Sequence, residues 1–155
     1  MKTYVLTVSQ KFPKYHQRAG DDTNFADLIL DAIMTKNLFI KIHTMRQNYD
    51  LWAKRFEKIN KGEAQLSIRK WAGKPYASKQ EVIINLTKDD GIGLEKLQLN
   101  ETGWVINGFN GNYDINLFAK NDGLHKKDWI MWFPNSFDYN SSLAIIHFTP
   151  FRYCV

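Results

Sequence analysis

The sequence predicts an α+β fold in one domain, in which five to six short strands and two to three helices form a curled sheet or small barrel. Two observations support this prediction: some segments alternate apolar and polar residues, as strands do, and others repeat apolar residues at helical spacing. A length of 155 residues, at 18.2 kDa, is enough for one domain with a core and too short for two ordinary ones. We therefore treat residues 1–155 as a single domain.

The first third of the chain predicts strand, loop, helix and strand. Residues Tyr4–Val8 alternate and predict a strand, whereas 10–23 hold a proline and a glycine and predict a loop insertion. Asn24, or the threonine before it, can cap a helix whose apolar residues recur at helical spacing over 25–33. A β-branched run then predicts a strand over 38–44.

The middle of the chain predicts a second helix and a hairpin. Apolar residues at helical spacing predict a helix over 48–60, and Gly62 ends it. From Ala64 onward the period changes to two, which predicts a strand. Turn residues over 71–76 then lead to another strand over 81–87.

The last third predicts two further strands and a short helix. A turn at 90–93 precedes a weak strand over 94–99, and the glycine- and asparagine-rich stretch 100–116 predicts a partly ordered loop insertion. A short helix is predicted over 126–133. The apolar run within 142–151 predicts a closing strand that is paired on both sides.

Composition limits the class of protein. With 44% hydrophobic and 24% charged residues, it is typical of a soluble globular chain. The single cysteine, Cys154, excludes a disulfide scaffold and favours a reducing compartment. No apolar stretch reaches the roughly 20 residues that cross a bilayer, and the alternating start predicts a strand instead of a signal peptide. We expect a cytoplasmic protein with no membrane partner.

Positive charge is concentrated in one part of the chain. Between Lys41 and Lys79 there are ten basic and three acidic residues, a net charge of +7, while the rest of the chain carries −2. Such a segment attracts phosphate groups, although solvated basic faces also occur on proteins that bind nothing anionic. No metal and no cofactor are expected, because the four histidines lack ligand spacing and Gly91-x-Gly93 lacks the third glycine of a dinucleotide signature.

The segment 41–46 carries the sharpest chemical feature. A desolvated lysine among cations has a lowered pKa and can act as a base, so Lys41 could activate the hydroxyl of Thr44 as a nucleophile. The alternative is a strand whose exposed positions happen to be Lys41 and His43. Strict alternation places those two residues on the face opposite Thr44 and Arg46, so cooperation of Lys41 with Thr44 requires a bulge or a strand end between them.

A second candidate site is the basic and aromatic stretch 69–79. Lysine and arginine can bind phosphates while tryptophan and tyrosine stack on bases, as on a single-stranded nucleic acid platform. The residues concerned are Arg69, Trp71, Lys74 and Tyr76. The alternative is a hairpin with a solvated tip and one core tryptophan.

Two other polar residues have both a functional and a structural interpretation. Asp122 precedes Gly123, and its carboxylate can be a general acid or base, although an Asp-Gly pair more often makes a turn. His147 lies on an apolar strand, which is more typical of a hydrogen-bonded core histidine than of a ligand.

These residues resemble the ASCH domains of the PUA-like superfamily, in which a helix precedes a Gly-x-Lys-x-x-Thr-x-Arg segment and a small β-barrel. Lys41, Thr44 and Arg46 fall on the Lys, Thr and Arg of that pattern, and Phe39 stands at the position of its glycine. Asp122 lies where small bacterial members carry a glutamate. The resemblance implies a PUA-like, ASCH-type barrel of five to six strands.

The resemblance also implies a binding function. Many ASCH and PUA-like domains are regarded as RNA-binding modules, so we expect RNA or a nucleoside in a basic, aromatic-lined cleft. The residues expected to contact this ligand are Arg46, Arg69, Trp71, Lys74 and Tyr76.

Two alternatives to a pure binding function remain. Small bacterial ASCH proteins hydrolyse N4-acylated cytidine nucleosides, and by this resemblance Lys41 would be the base, Thr44 the nucleophile and Asp122 an acid–base or orienting group. Another alternative is a protein-interaction module that uses the tryptophan-rich C-terminal half.

Overall fold

The computed structural model describes residues 1–35, 40–100, 103–133 and 142–154. The strands are Lys2–Thr7 (β1), His43–Arg46 (β2), Ala64–Trp71 (β3), Gln80–Leu86 (β4), Gly93–Asn100 (β5), Gly103–Ile106 (β6), Phe109–Asn110 (β7) and Ser142–His147 (β8). The α-helices are Phe25–Thr35 (α1), Tyr49–Asn60 (α2), Ile115–Asn121 (α3) and Lys126–Trp132 (α4). The predicted α+β class is confirmed, with eight strands and four helices over these residues.

The strands pair in two sheets. One has the order β1-β3-β4 with β1 parallel to β3, and the other has the order β2-β8-β5-β6-β7 with antiparallel pairs throughout. Over the described ranges these pairings close neither sheet into a ring, so the PUA-like barrel stays a prediction. In the same ranges no helix has the length and apolarity needed to cross a bilayer.

The core lies between the sheets and the helices. β8 is central in its sheet, and its residues from Leu143 to His147 are all buried, as predicted for a strand paired on both sides. α2 buries the stripe Trp52, Phe56 and Ile59, and Asn48 caps its start by accepting a hydrogen bond from the Leu51 amide at 3.2 Å. The helix predicted over 48–60 is confirmed, although Leu51, another apolar residue of this segment, is exposed.

The structure departs from the predicted elements in two places. The stretch 100–116 contains β6, β7 and the start of α3, a helix that was not predicted. Asp114 caps this helix, and Phe118 and Ala119 are buried one turn later, so a cap followed by apolar residues at helical spacing was the signal that was missed. The strand predicted over 38–44 begins only at His43, and 36–39 lie outside the described residues.

Candidate binding and catalytic site

A cavity of about 270 Å³ brings together residues from distant parts of the chain. Five of the eight residues predicted for the site line it: Lys41, Thr44, Arg46, Tyr76 and Asp122. The rest of its wall is formed by the end of β1 and by apolar side chains, namely Thr7, Val8, Ser9, Phe25, Leu124, Trp132 and Phe133. The lining therefore combines two cations, a carboxylate, hydroxyl groups and several aromatic side chains.

Lys41 lies just before β2, and hydrogen bonds of the next residue, Ile42, fix its position beside the cavity. The Ile42 amide donates to the Asn121 carbonyl at 2.8 Å, and the Ile42 carbonyl accepts from the Phe148 amide at 2.9 Å. These bonds hold this segment between the end of α3 and the segment after β8. Because β2 begins at His43, a strand end separates Lys41 from Thr44, which is the condition that strict alternation sets for their cooperation.

The Lys41 ammonium group is buried among acceptors. Its Nζ atom donates to the carbonyl oxygens of His43 at 3.1 Å and of Asp122 at 2.7 Å, and lies 3.6 Å from Asp122 Oδ1. It also lies 4.2 Å from the centre of the Phe25 ring, a cation–π contact. Burial lowers the pKa of Lys41 to about 8; Asp122 opposes this change and Arg46 adds to it.

Asp122 uses both carboxylate oxygens within the protein. Oδ1 accepts from His43 Nδ1 at 3.0 Å, and Oδ2 accepts from Trp129 Nε1 at 2.9 Å. Burial raises the pKa of this carboxyl, but the charges of Lys41 and His43 and these hydrogen bonds outweigh it, so the pKa is lower than usual. The group is thus ionised at neutral pH, and its geometry suits orienting Lys41 better than donating a proton.

Arg46 holds Thr44 at the cavity wall. Its guanidinium donates from Nη1 to Thr44 Oγ1 at 3.0 Å and to the Met45 carbonyl at 2.9 Å, and from Nη2 to the Thr7 carbonyl. Burial lowers the pKa of Arg46, but an arginine stays protonated in proteins. The threonine hydroxyl therefore lies next to a fixed positive charge.

The other three residues expected to contact the ligand, Arg69, Trp71 and Lys74, lie elsewhere on the β3–β4 hairpin. Arg69 donates to Ser67 Oγ at 2.9 Å and to Gln80 Oε1 at 3.3 Å, and Lys74 is exposed near the hairpin tip. Trp71 lies beside Tyr76, with ring centres 5.1 Å apart, and lines a different cavity. Tyr76 alone connects this hairpin to the cavity that contains Lys41.

Sequence reasoning missed the buried residues behind Asp122. His43 Nε2 lies 2.6 Å from the hydroxyl of Tyr153, which also accepts from Asn121 Nδ2 at 2.9 Å. Tyr153 stacks on Phe118 with ring centres 5.1 Å apart, and burial raises its pKa. A polar residue within an apolar run was the only sequence signal for His43, and nothing in the sequence linked it to Tyr153.

His147 and Glu95 form a second buried polar pair. Glu95 accepts from His147 Nε2 at 2.7 Å and from the backbone amides of Tyr153 and Cys154 at 2.8 and 2.9 Å. Burial lowers the pKa of His147 to about 4, against the opposing effect of Glu95. This agrees with the prediction of a hydrogen-bonded core histidine. The bonds from the two backbone amides to Glu95 also hold residues 153–154 against β5.

In the described part of the chain, no group of three or more histidine, cysteine, aspartate or glutamate side chains is arranged to hold a metal ion. Comparison with protein-family models, with curated proteins and with solved structures found no match to this chain. The interpretation of the site therefore depends on its own geometry.

Proposed function

We propose that the protein binds a nucleoside, either free or within RNA, in the cavity lined by Lys41, Thr44, Arg46 and Asp122. The observation that carries the proposal is that cationic, hydroxyl and aromatic groups from distant segments line one cavity of about 270 Å³. That volume is close to the lower end of the range for small-molecule sites, roughly 300 Å³. By its resemblance to RNA-binding ASCH domains, we also propose that the protein forms a PUA-like barrel and is cytoplasmic.

The lining supplies the contacts that a nucleobase requires. Trp132 and Phe133, which are both half-buried, offer aromatic surface on which a base can stack. Lys41 and Arg46 carry donors for the carbonyl oxygen of a pyrimidine, and the Thr44 hydroxyl can either donate or accept.

Titration of the purified protein with cytidine, followed by calorimetry or NMR, tests the binding proposal. We expect saturable binding with little dependence on salt, because a nucleoside has no phosphate. Arg46→Met should weaken it at least tenfold, the loss expected when a hydrogen bond to a charged group, roughly 1.5 kcal/mol, is removed. Lys54→Met is the control, because Lys54 is an exposed residue of α2 outside the cavity. Equal affinity of Arg46→Met and the wild type would place the ligand elsewhere.

A second candidate function is hydrolysis of an N4-acylated cytidine, and the low pKa of Lys41, about 8, favours it. The neutral Lys41 amine would take the proton of the Thr44 hydroxyl while Oγ1 bonds to the acyl carbon. The bond from that carbon to N4 then breaks, its electron pair stays on N4, and Lys41 returns the proton to N4. Arg46, 3.0 Å from Oγ1, would stabilise the negative charge that develops.

The second half of this reaction regenerates the threonine. Lys41 takes a proton from water, whose oxygen attacks the Thr44 ester, and the bond from Oγ1 to the acyl carbon breaks. Oγ1 regains a proton, and the carboxylic acid leaves. Asp122 would act only as a positioning residue, because both of its oxygens accept hydrogen bonds from other side chains.

Release of cytidine from N4-acetylcytidine tests the hydrolase. We expect Lys41→Met and Thr44→Val to lose the rate by roughly 100-fold or more, the usual contribution of a general base. The wild-type rate should rise with pH around a midpoint of about 8, where Lys41 becomes neutral. An active Thr44→Val variant would rule out the threonine as nucleophile. If the wild type binds cytidine but releases none from N4-acetylcytidine, the hydrolase proposal fails and the binding proposal stands.

A further inference from the structure

A second cavity, of about 470 Å³, adjoins the first. The two share four lining residues, Thr7, Val8, Ser9 and Tyr76. Tyr76 therefore stands between them, with 90% of its surface exposed and with a left-handed backbone, φ 62°. That conformation is uncommon for a bulky residue, and such outliers are frequent at ligand sites.

The second cavity lies between two segments that are far apart in the sequence. One wall is the loop 10–20 and the other is the hairpin tip 71–76. The Gln10 side chain donates to the Trp71 carbonyl, and the Val8 amide donates to the Arg69 carbonyl at 2.8 Å. These bonds connect the start of the loop to the hairpin, so the walls are held together without a ligand.

The lining combines flat apolar groups with positive charge. Trp71 and Tyr76 supply accessible aromatic surface, and Phe12 in the lining is buried. Lys11 and Lys14 supply cations, of which Lys11 is paired with Asp22. No acidic side chain from the described residues lines this cavity. Aromatic rings together with lysines are the features that bind bases and phosphates of single-stranded nucleic acid, and Lys14 is an exposed lysine of this lining.

We propose that the second cavity binds the nucleotide adjacent to the one in the first cavity, so that the ligand is a single-stranded oligonucleotide of at least two residues. This inference rests on the proposed nucleoside site. Because Tyr76 lies between the cavities, bases that occupy both cannot stack on each other. A strand with unpaired, separated bases meets that requirement, whereas a duplex does not.

The affinity of the dinucleotide CpC relative to cytidine tests the inference. Stacking of one more base on an aromatic residue should make CpC bind at least about fivefold tighter than cytidine. Trp71→Leu should reduce this ratio toward one. Lys14→Glu should also reduce this ratio. Because Lys14 is exposed, this substitution should leave the fold intact, so the test does not depend on Trp71→Leu alone.

A matched charge reversal and the salt dependence complete the test. Lys54→Glu, on α2 and outside both cavities, should keep the wild-type ratio. Affinity for CpC should fall as salt rises, whereas affinity for cytidine should not. If cytidine binds and CpC binds no tighter, or if the gain survives both Trp71→Leu and Lys14→Glu, the second site is wrong while the first stands. If neither ligand binds, the proposed function itself fails.

Discussion

The Nζ atom of Lys41 lies 2.7 Å from the carbonyl oxygen and 3.6 Å from the carboxylate of Asp122, a residue 81 positions later in the chain. The pair joins the start of β2 to the end of α3 and is almost fully buried. Burial lowers the pKa of Lys41 to about 8, while the charge of Lys41 contributes to the lowered pKa of Asp122. Two opposite charges are thus held at one cavity wall, and only the lysine changes its charge near neutral pH.

The lowered pKa of Lys41 should appear in the pH dependence of stability. In the unfolded chain the lysine keeps its proton up to about pH 10.5, whereas in the folded protein it loses it at about 8. Between these values the unfolded state binds more protons, so the free energy of unfolding should rise with pH by up to about 1.4 kcal/mol per pH unit. Urea unfolding from pH 7 to 10 measures this rise. The Lys41→Met variant should lack it, and parallel curves for the two proteins would contradict the prediction.

Gly123→Ala should damage the site more than an equivalent change elsewhere. A Cβ atom at Gly123 would lie 3.1 Å from Lys41 Cβ, and φ is +83°. Gly108 has φ +84°, but a Cβ atom there would meet no atom within 4 Å, so Gly108→Ala reports the backbone strain alone, roughly 1 to 2 kcal/mol. We expect Gly123→Ala to lose more stability than Gly108→Ala and also to weaken cytidine binding. Equal losses would show that the Lys41 contact is unimportant.

Asp122→Asn should be strongly destabilising. The amide cannot accept hydrogen bonds at both positions, and Lys41 would lose its buried counter-charge, a change that typically costs about 3 to 5 kcal/mol. Urea unfolding at pH 7 measures the loss, with Asp31→Asn, at an exposed position of α1, as the control. The pKa of Lys41 should also fall below 8, because Asp122 is the group that raises it. A stability within about 1 kcal/mol of the wild type, well short of the usual cost of breaking a buried pair, would contradict this account.

Acid should destabilise the protein through His147. Its pKa is about 4 in the folded state against 6.5 in an ordinary environment, so the unfolded state binds more protons between these values. The free energy of unfolding should therefore fall as the pH decreases from about 6.5 to 4, by up to about 1.4 kcal/mol per pH unit. His147→Gln should flatten this slope, whereas His125→Gln, at an exposed position, should leave it intact. The comparison requires only thermal or urea unfolding at several pH values.

Local patterns were sufficient for most of the regular structure. The helical spacing in α1, α2 and α4 and the apolar run of β8 identified these elements close to their observed bounds, because they depend on neighbours three or four positions away or on one continuous segment. The same patterns missed α3, which is only seven residues long and follows a stretch rich in asparagine and glycine. Its signal, the Asp114 cap followed by apolar residues, spans only about two turns, and a helix this short depends on packing for its stability.

By itself, the sequence determined the α+β class, the concentration of basic residues between positions 41 and 79, and the residue types available for chemistry. Only the tertiary structure decided which of them meet: Lys41, Thr44, Arg46, Tyr76 and Asp122 share one cavity, whereas Trp71 lines the adjoining one. It also decided that His43 and Trp129 occupy the oxygens of Asp122. The physical reason is that burial, and with it the lowered pKa of Lys41, depends on contacts between segments far apart in the chain, which no local periodicity encodes.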